Sequence, residues 1–153
     1  MYIIGAGSSL ALATFLSHYL SLVFDAVQLI NATSDAQILQ QLVHIGAGDA
    51  LIGISFPRYS KKAAKALRYA SDRGASVIAI TDSTLSPLAS CAQQVLLAKS
   101  DMVSFVDSLV GPLALINALI VTVAIKKKEE VAKTLCDLEN LSLIHISEPT
   151  RPI

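Results

Sequence analysis

Five short apolar runs recur along this chain: Tyr2-Ile3-Ile4, Ala26-Val27-Gln28-Leu29-Ile30, Ala50-Leu51-Ile52-Gly53-Ile54, Val77-Ile78-Ala79-Ile80 and Val95-Leu96-Leu97-Ala98. Their apolar residues occupy successive positions rather than every second one. A strand with water on one face alternates; a parallel strand covered on both faces does not. Segments of helical composition separate the runs: Leu10 to Val23, Thr33 to about Val43, Ser60 to Arg73, and Phe105 to Leu138. Thr33-Ser34-Asp35 and Ser60 supply N-cap chemistry, Gly46 with Gly48 and then Gly74 supply stops, and Pro87 opens a brief helical turn. The pattern predicts an α/β fold: a doubly wound, five-stranded parallel sheet in a flavodoxin-like three-layer α/β/α sandwich.

Each run ends in small polar residues: Ser8-Ser9, Asn31, Ser55, Thr81-Asp82 and Ser100. In an open parallel sheet those ends form one rim, and ligands bind where the strand order reverses. With the order 2-1-3-4-5, that point lies between the first and third strands. The turns meeting there are Gly5-Ala6-Gly7-Ser8-Ser9 and Ser55-Phe56-Pro57-Arg58-Tyr59-Ser60. A glycine turn opening a helix presents unpaired N–H groups at the positive end of the helix dipole, which suits a phosphate. A dinucleotide fingerprint is a poor match, since it wants a third glycine where Leu10 stands and an acid where Asn31 stands. Basic residues crowd the start of the helix after the second turn. Arg58 lies in the loop itself and is a candidate phosphate ligand, whereas Lys62 and Lys65 read as a solvated basic face. Ser55 and Ser60 have an ordinary reading too, as a strand end and an N-cap.

Composition narrows the partners. With 12 basic and 12 acidic residues in 153, the chain has no net attraction for nucleic acid, and no stretch has helix-turn-helix spacing. The two cysteines, Cys91 and Cys136, lie far apart with no metal or redox spacing, as expected of free thiols in a cytoplasmic protein. Neither cofactor nor metal is expected. Residues Met1 to Phe24 lack the basic start of a signal peptide. Leu109 to Ile125 is uncharged but short for a membrane span and holds Pro112 and Asn117, so a buried core or interface helix is expected instead of a membrane one.

The motif Gly5-x-Gly7-x-Ser9-x-x-x-Ala13, a strand ending in Ile54-Ser55, a hydroxyl-bearing turn, and Val77-Ile78-Ala79-Ile80-Thr81 together resemble a sugar isomerase (SIS) domain. The wording Ile54-Ser55-Phe56-Pro57-Arg58-Tyr59-Ser60, with Ile78-Ala79-Ile80-Thr81-Asp82-Ser83 and Ser86-Pro87-Leu88-Ala89, is similar to the effector domain of RpiR-type transcriptional regulators. The resemblance runs from about Tyr2 to Glu139. It implies a phosphosugar-binding, dimer-forming domain that acts on carbohydrate metabolism, with DNA bound only by a preceding helix-turn-helix domain. Carried across, Gly5, Gly7, Ser8 and Ser9 form the first ligand motif. Ser55 and Ser60 stand at the first serine and the threonine of the family's S-x-S-G-x-T loop. Pro57 and Arg58 replace its second serine and its glycine, and Arg58 is expected to serve as a charged donor. Tyr59 and Thr81 are secondary candidates.

Isomerisation of a sugar needs a base beside a carbonyl. No glutamate precedes Glu129, and His18 and His44 lie within helical segments; Asp82, Asp101 and Asp107 remain as possible acids, although Asp82 reads better as a turn residue and Asp107 as a helix cap. The expectation is therefore an effector-binding domain without catalytic residues, the alternative being a sugar-phosphate isomerase. Its ligand would be a phosphorylated sugar or amino sugar, and it would form a homodimer or higher homo-oligomer through the Leu109–Ile125 helix. Residues 1–140 form the expected domain. Met1 abuts the first strand, so the DNA-binding domain is expected to be missing from this chain. Leu141 to Ile153 resembles a translated sequencing adapter and is expected to be a non-native or unordered tail, so His145, Glu148 and Arg151 are assigned no role.

Overall fold

The computed structural model describes residues 1–31, 33–103 and 105–147. The apolar runs become one parallel sheet: β1 (Tyr2–Gly5), β2 (Gln28–Ile30), β3 (Ala50–Ile54), β4 (Ser76–Thr81) and β5 (Gln94–Leu97). The strand order is β2-β1-β3-β4-β5, so the order reverses between β1 and β3 as expected. The helices are α1 (Ser8–Leu20), α2 (Asp35–Gln41), α3 (Lys61–Asp72), α4 (Val110–Lys126) and α5 (Lys128–Ser147).

Alternate residues of each strand feed two separate apolar layers. Ile4, Ile30, Leu51, Val77 and Ala79 meet Ile38, Leu42, Ala63, Ala66, Leu67 and Ala70 from α2, α3 and the turn after α2. Ile3, Ile52, Ile54 and Ile80 meet Leu12, Ala13, Leu16 and Leu20 of α1 and Ile116 of α4. Both faces of the sheet are thus dry, which is why the runs are apolar throughout. Each fully buried Leu or Ile contributes about 1.5–3 kcal/mol relative to exposure.

Local chemistry sets the helix ends. Ser34 Oγ accepts the Gln37 N–H at the start of α2, and Ser60 Oγ accepts the Ala63 N–H at the start of α3. Gly74, at φ 84°, ends α3 in the left-handed conformation that glycine adopts freely. Pro87 precedes a short 3-10 turn over Ala89–Cys91.

One expectation is corrected. The helical segment does not begin at Phe105: Val106–Asp107 is a strand, β7, paired antiparallel with β6 (Met102–Val103). Asp107 consequently caps no helix; Leu109 holds the N-cap position of α4, without a side-chain cap. Valine and phenylalanine are mediocre helix formers, and Pro112 falls in the first turn of α4, where a missing N–H costs nothing. That proline was the available signal for a later start. Val110 and Ile125 of α4 are exposed, at 78% and 70%, while Ile116 is fully buried. Residues 141–147 continue α5, and the rest of the expected tail, including Glu148 and Arg151, lies outside the described residues. Among the described residues no single helix is long and apolar enough to cross a membrane; only the pair α4 and α5, bent by 94°, passes that test by length and composition.

A Cβ added at Gly5 would lie 2.5 Å from the Ser9 carbonyl oxygen, so only glycine lets α1 start this close to β1. Gly5→Ala should destabilise the fold by about 1–3 kcal/mol in urea denaturation. Gly46→Ala, whose new Cβ would have Arg73 O at 3.8 Å as its nearest neighbour, should change stability by less than about 1 kcal/mol.

Candidate functional site

In the β1–β3 register Gly5 stands opposite Ile54, so the residues that follow them leave the sheet side by side. From there β1 leads through α1 to β2 on one flank, and β3 leads through α3 to β4 on the other. Right-handed crossovers in opposite directions place their helices on opposite faces of the sheet. The N-termini of α1 and α3 therefore converge over the switch point and enclose a cleft of about 290 Å³.

One wall consists of Gly7, Ser8 and Ser9. Gly7 is the N-cap of α1, at φ 60° and ψ −131°, a backbone conformation open essentially to glycine alone. It offers no side-chain cap, and the Ser9 and Leu10 N–H groups donate instead to the Ala6 and Gly7 carbonyls, each at 3.1 Å, while the positive end of the α1 dipole points at the cleft. Ser9 is buried at the base of this wall, and Ser8 is exposed at its lip. Gly5 does not line the cleft. Its part is the close approach of α1 described above.

The opposite wall is the turn from Ser55 to Ser60. Ser55 is buried, and its Oγ accepts the Ser60 N–H at 3.0 Å, closing the turn on itself. Arg58 stands at φ 68°, the one positive-φ residue other than glycine among the described residues. This is the position where the resembled loop carries glycine. The left-handed turn is thus kept although the residue is not glycine, at a cost of about 1–2 kcal/mol. The Arg58 guanidinium projects to Asp107, donating from Nη2 to Oδ1 at 3.1 Å and to Oδ2 at 3.4 Å. Ser8 Oγ donates to the same Oδ2 at 3.0 Å. One carboxylate thus joins the two walls across the mouth of the cleft.

The SIS domain family matches residues 1–122. This chain belongs to that family. An uncharacterised HTH-type transcriptional regulator of Caldanaerobacter subterraneus subsp. tengcongensis is 32% identical over 108 residues, covering 68% of this chain and 37% of that protein. The chain therefore spans little more than a third of the curated relative it matches. The sugar isomerase domain of an RpiR transcription factor from Sphaerobacter thermophilus has a TM-score of 0.85 at 30% identity, covering 91% of this chain and 77% of that one. Vibrio vulnificus NanR, solved in complex with ManNAc-6P, has a TM-score of 0.73 at 21% identity, covering 92% and 55% respectively; that likeness shows the fold.

Of the residues singled out from the sequence, the SIS cleft gathers Gly7, Ser8, Ser9, Ser55, Arg58 and Ser60. Tyr59 and Thr81 lie elsewhere. Tyr59 lines a neighbouring groove of about 380 Å³ between α3 and the 3-10 turn, with Lys61, Arg68 and Cys91. Thr81 is fully buried at the end of β4. Both donate to Asp82 Oδ1, Tyr59 Oη at 2.5 Å and Thr81 Oγ1 at 3.3 Å; the Tyr59 bond links the β3–α3 turn to the turn after β4. His18 and His44 are exposed on or beside their helices, away from the cleft. Two lysines at the start of α3 are spent locally: Lys62 Nζ donates to the Thr33 carbonyl, and Lys65 pairs with Asp35 at 2.9 Å. Among the described residues no group of acids, histidines and cysteines could hold a metal.

The residue that sequence reasoning missed as a cleft component is Asp107. No spacing signal could find it, because its partners Ser8 and Arg58 lie 99 and 49 positions away.

The hydrogen bond to Asp82, with some burial and the carboxylate's negative charge, pushes the Tyr59 phenol up from 10.0 to about 12. The folded state holds that proton more tightly than the unfolded chain does. Its stabilising contribution is therefore whole below about pH 10 and lost as pH rises through about 12. In an ultraviolet titration of the 4 tyrosines, Tyr59→Phe should remove the component near pH 12 and leave the others in place.

Proposed function

We propose that this chain is the phosphosugar-binding effector and dimerisation domain of an RpiR-type transcriptional regulator of carbohydrate metabolism, and that it carries out no chemistry. The observation that carries the reading is the convergence of two hydroxyl-bearing turns on one cleft at the N-termini of α1 and α3. Gly7, Ser8 and the positive end of the α1 dipole face one side of an anion there, and Ser55, Ser60 and the Arg58 guanidinium face the other. Charge-assisted bonds from such donors are roughly twice as strong as neutral ones. The similarity to an RpiR transcription factor's sugar isomerase domain supports the regulator reading, and the complex of NanR with ManNAc-6P supports a phosphorylated sugar or amino sugar as the effector.

Catalysis would require a base free to take a proton from the sugar. The carboxylate at this cleft, Asp107, is engaged by Arg58 and Ser8, and neither His18 nor His44 lines it. In this reading DNA is contacted by a helix-turn-helix domain outside this chain, and the protein works in the cytoplasm without a cofactor or a membrane.

A thermal-shift screen against phosphorylated sugars and amino sugars tests the proposal. A true effector at 100 times its Kd should add about 2.7 kcal/mol of stability. Arg58→Ala should weaken that ligand about tenfold in calorimetry, equivalent to about 1.4 kcal/mol. Unchanged affinity would remove Arg58 from the site, and turnover of any hit would favour the isomerase alternative.

Dimerisation is assigned to α4 and α5. Val110, Val121 and Ile125 of α4 and Leu135, Leu138 and Leu141 of α5 are exposed apolar side chains, more than the isolated exposures usual on a monomer. Val121→Glu combined with Ile125→Glu should convert a dimer into a folded monomer in light scattering.

A further inference from the structure

We infer that Asp107 is a built-in competitor for the cleft's anion site, and that a ligand phosphate must displace it from Arg58 and Ser8. The inference rests on the phosphate-binding reading above and adds a residue which that reading does not contain. Its basis is geometric. Asp107 accepts from the Ser8 hydroxyl at 3.0 Å and from Arg58 Nη2 at 3.1 Å and 3.4 Å, so its two oxygens occupy one donor from each wall. These are donors of the kind a phosphate seeks, a guanidinium and a hydroxyl beside a helix N-terminus.

A donor cannot serve two anions at full strength, and two anions cannot share the cleft without mutual repulsion. Ligand entry at Arg58 Nη2 and Ser8 Oγ therefore exchanges bonds to Asp107 for bonds to the ligand. The Asp107 carboxylate is 23% exposed and the Arg58 side chain 64%, so the resident bonds are solvent-accessible and open to exchange. Exposed pairs of this kind hold weakly. Arg58 has a left-handed backbone at φ 68° and its side chain reaches Asp107 from there.

The test measures binding of inorganic phosphate and of ManNAc-6P to the full chain by calorimetry, for wild type and for Asp107→Asn, Asp107→Ala and Arg58→Ala. Asp107→Asn keeps the side chain's shape and an acceptor for Ser8 while removing the competing charge. Circular dichroism of each variant should match wild type. Both Asp107 variants should bind at least one probe about fivefold to tenfold more tightly than wild type. In an Arg58→Ala background the gain from Asp107→Asn should fall by at least about half, because the contested donor is gone. A gain that persists in full there would mean simple charge repulsion and would overturn the competition. So would Asp107 variants that bind no tighter than a wild type that does bind, and weaker binding would make Asp107 a ligand contact instead. If neither wild type nor any variant binds either probe, the inference falls, and the phosphosugar screen decides separately whether the site reading survives.

Discussion

The parallel pairing of β1 with β3 is the interaction on which the rest of the structure depends. It places Gly5 opposite Ile54 and sends the two succeeding turns out of the sheet as neighbours. Because β1 and β3 then cross over in opposite directions, α1 and α3 take opposite faces, and their positive ends aim at a common gap. Neither turn makes a site alone. The pairing is held by the two apolar layers, which cover Ile3 and Ile52 on one side and Ile4 and Leu51 on the other.

Two backbone constraints refine the gap. Gly5 must lack a side chain because the Ser9 carbonyl would lie 2.5 Å from a Cβ there, and Gly7 must be glycine because of its φ and ψ. Both act on α1, drawing its first turn down against β1. On the other wall Arg58 adopts a left-handed backbone without being glycine. Such strain persists only where surrounding bonds over-determine the turn. Ser55 accepting the Ser60 N–H, Ser60 capping α3, and Arg58 reaching Asp107 are those bonds.

Charge is distributed to match. The lysines at the start of α3 oppose its dipole, yet Lys62 and Lys65 turn back to the Thr33 carbonyl and to Asp35 near the start of α2. Exposed pairs of this sort are worth about 0.2–1 kcal/mol each, so they tether α3 weakly to α2. Arg58 is the cation left facing the cleft among its lining residues, and its partner there is Asp107.

Much of this was legible in the chain itself. The period of the apolar runs determined the fold class, since only two dry faces make every strand position apolar. The flavodoxin-like strand order that goes with such a sheet then named the two turns that meet. Capping chemistry located the starts of α2 and α3 through Ser34 and Ser60. The tertiary structure decided the rest. Asp107 belongs to the cleft only because β7 lies beside both walls, a contact between residues 49 and 99 positions apart that no local pattern encodes. Tyr59 and Thr81 sit within or beside the rim motifs but turn to Asp82 instead, because orientation is settled by packing and hydrogen-bond partners rather than by position in a motif. Periodicity and turn chemistry are local and can be read from neighbours in sequence, whereas which side chains share a cavity depends on contacts that form only when the sheet closes.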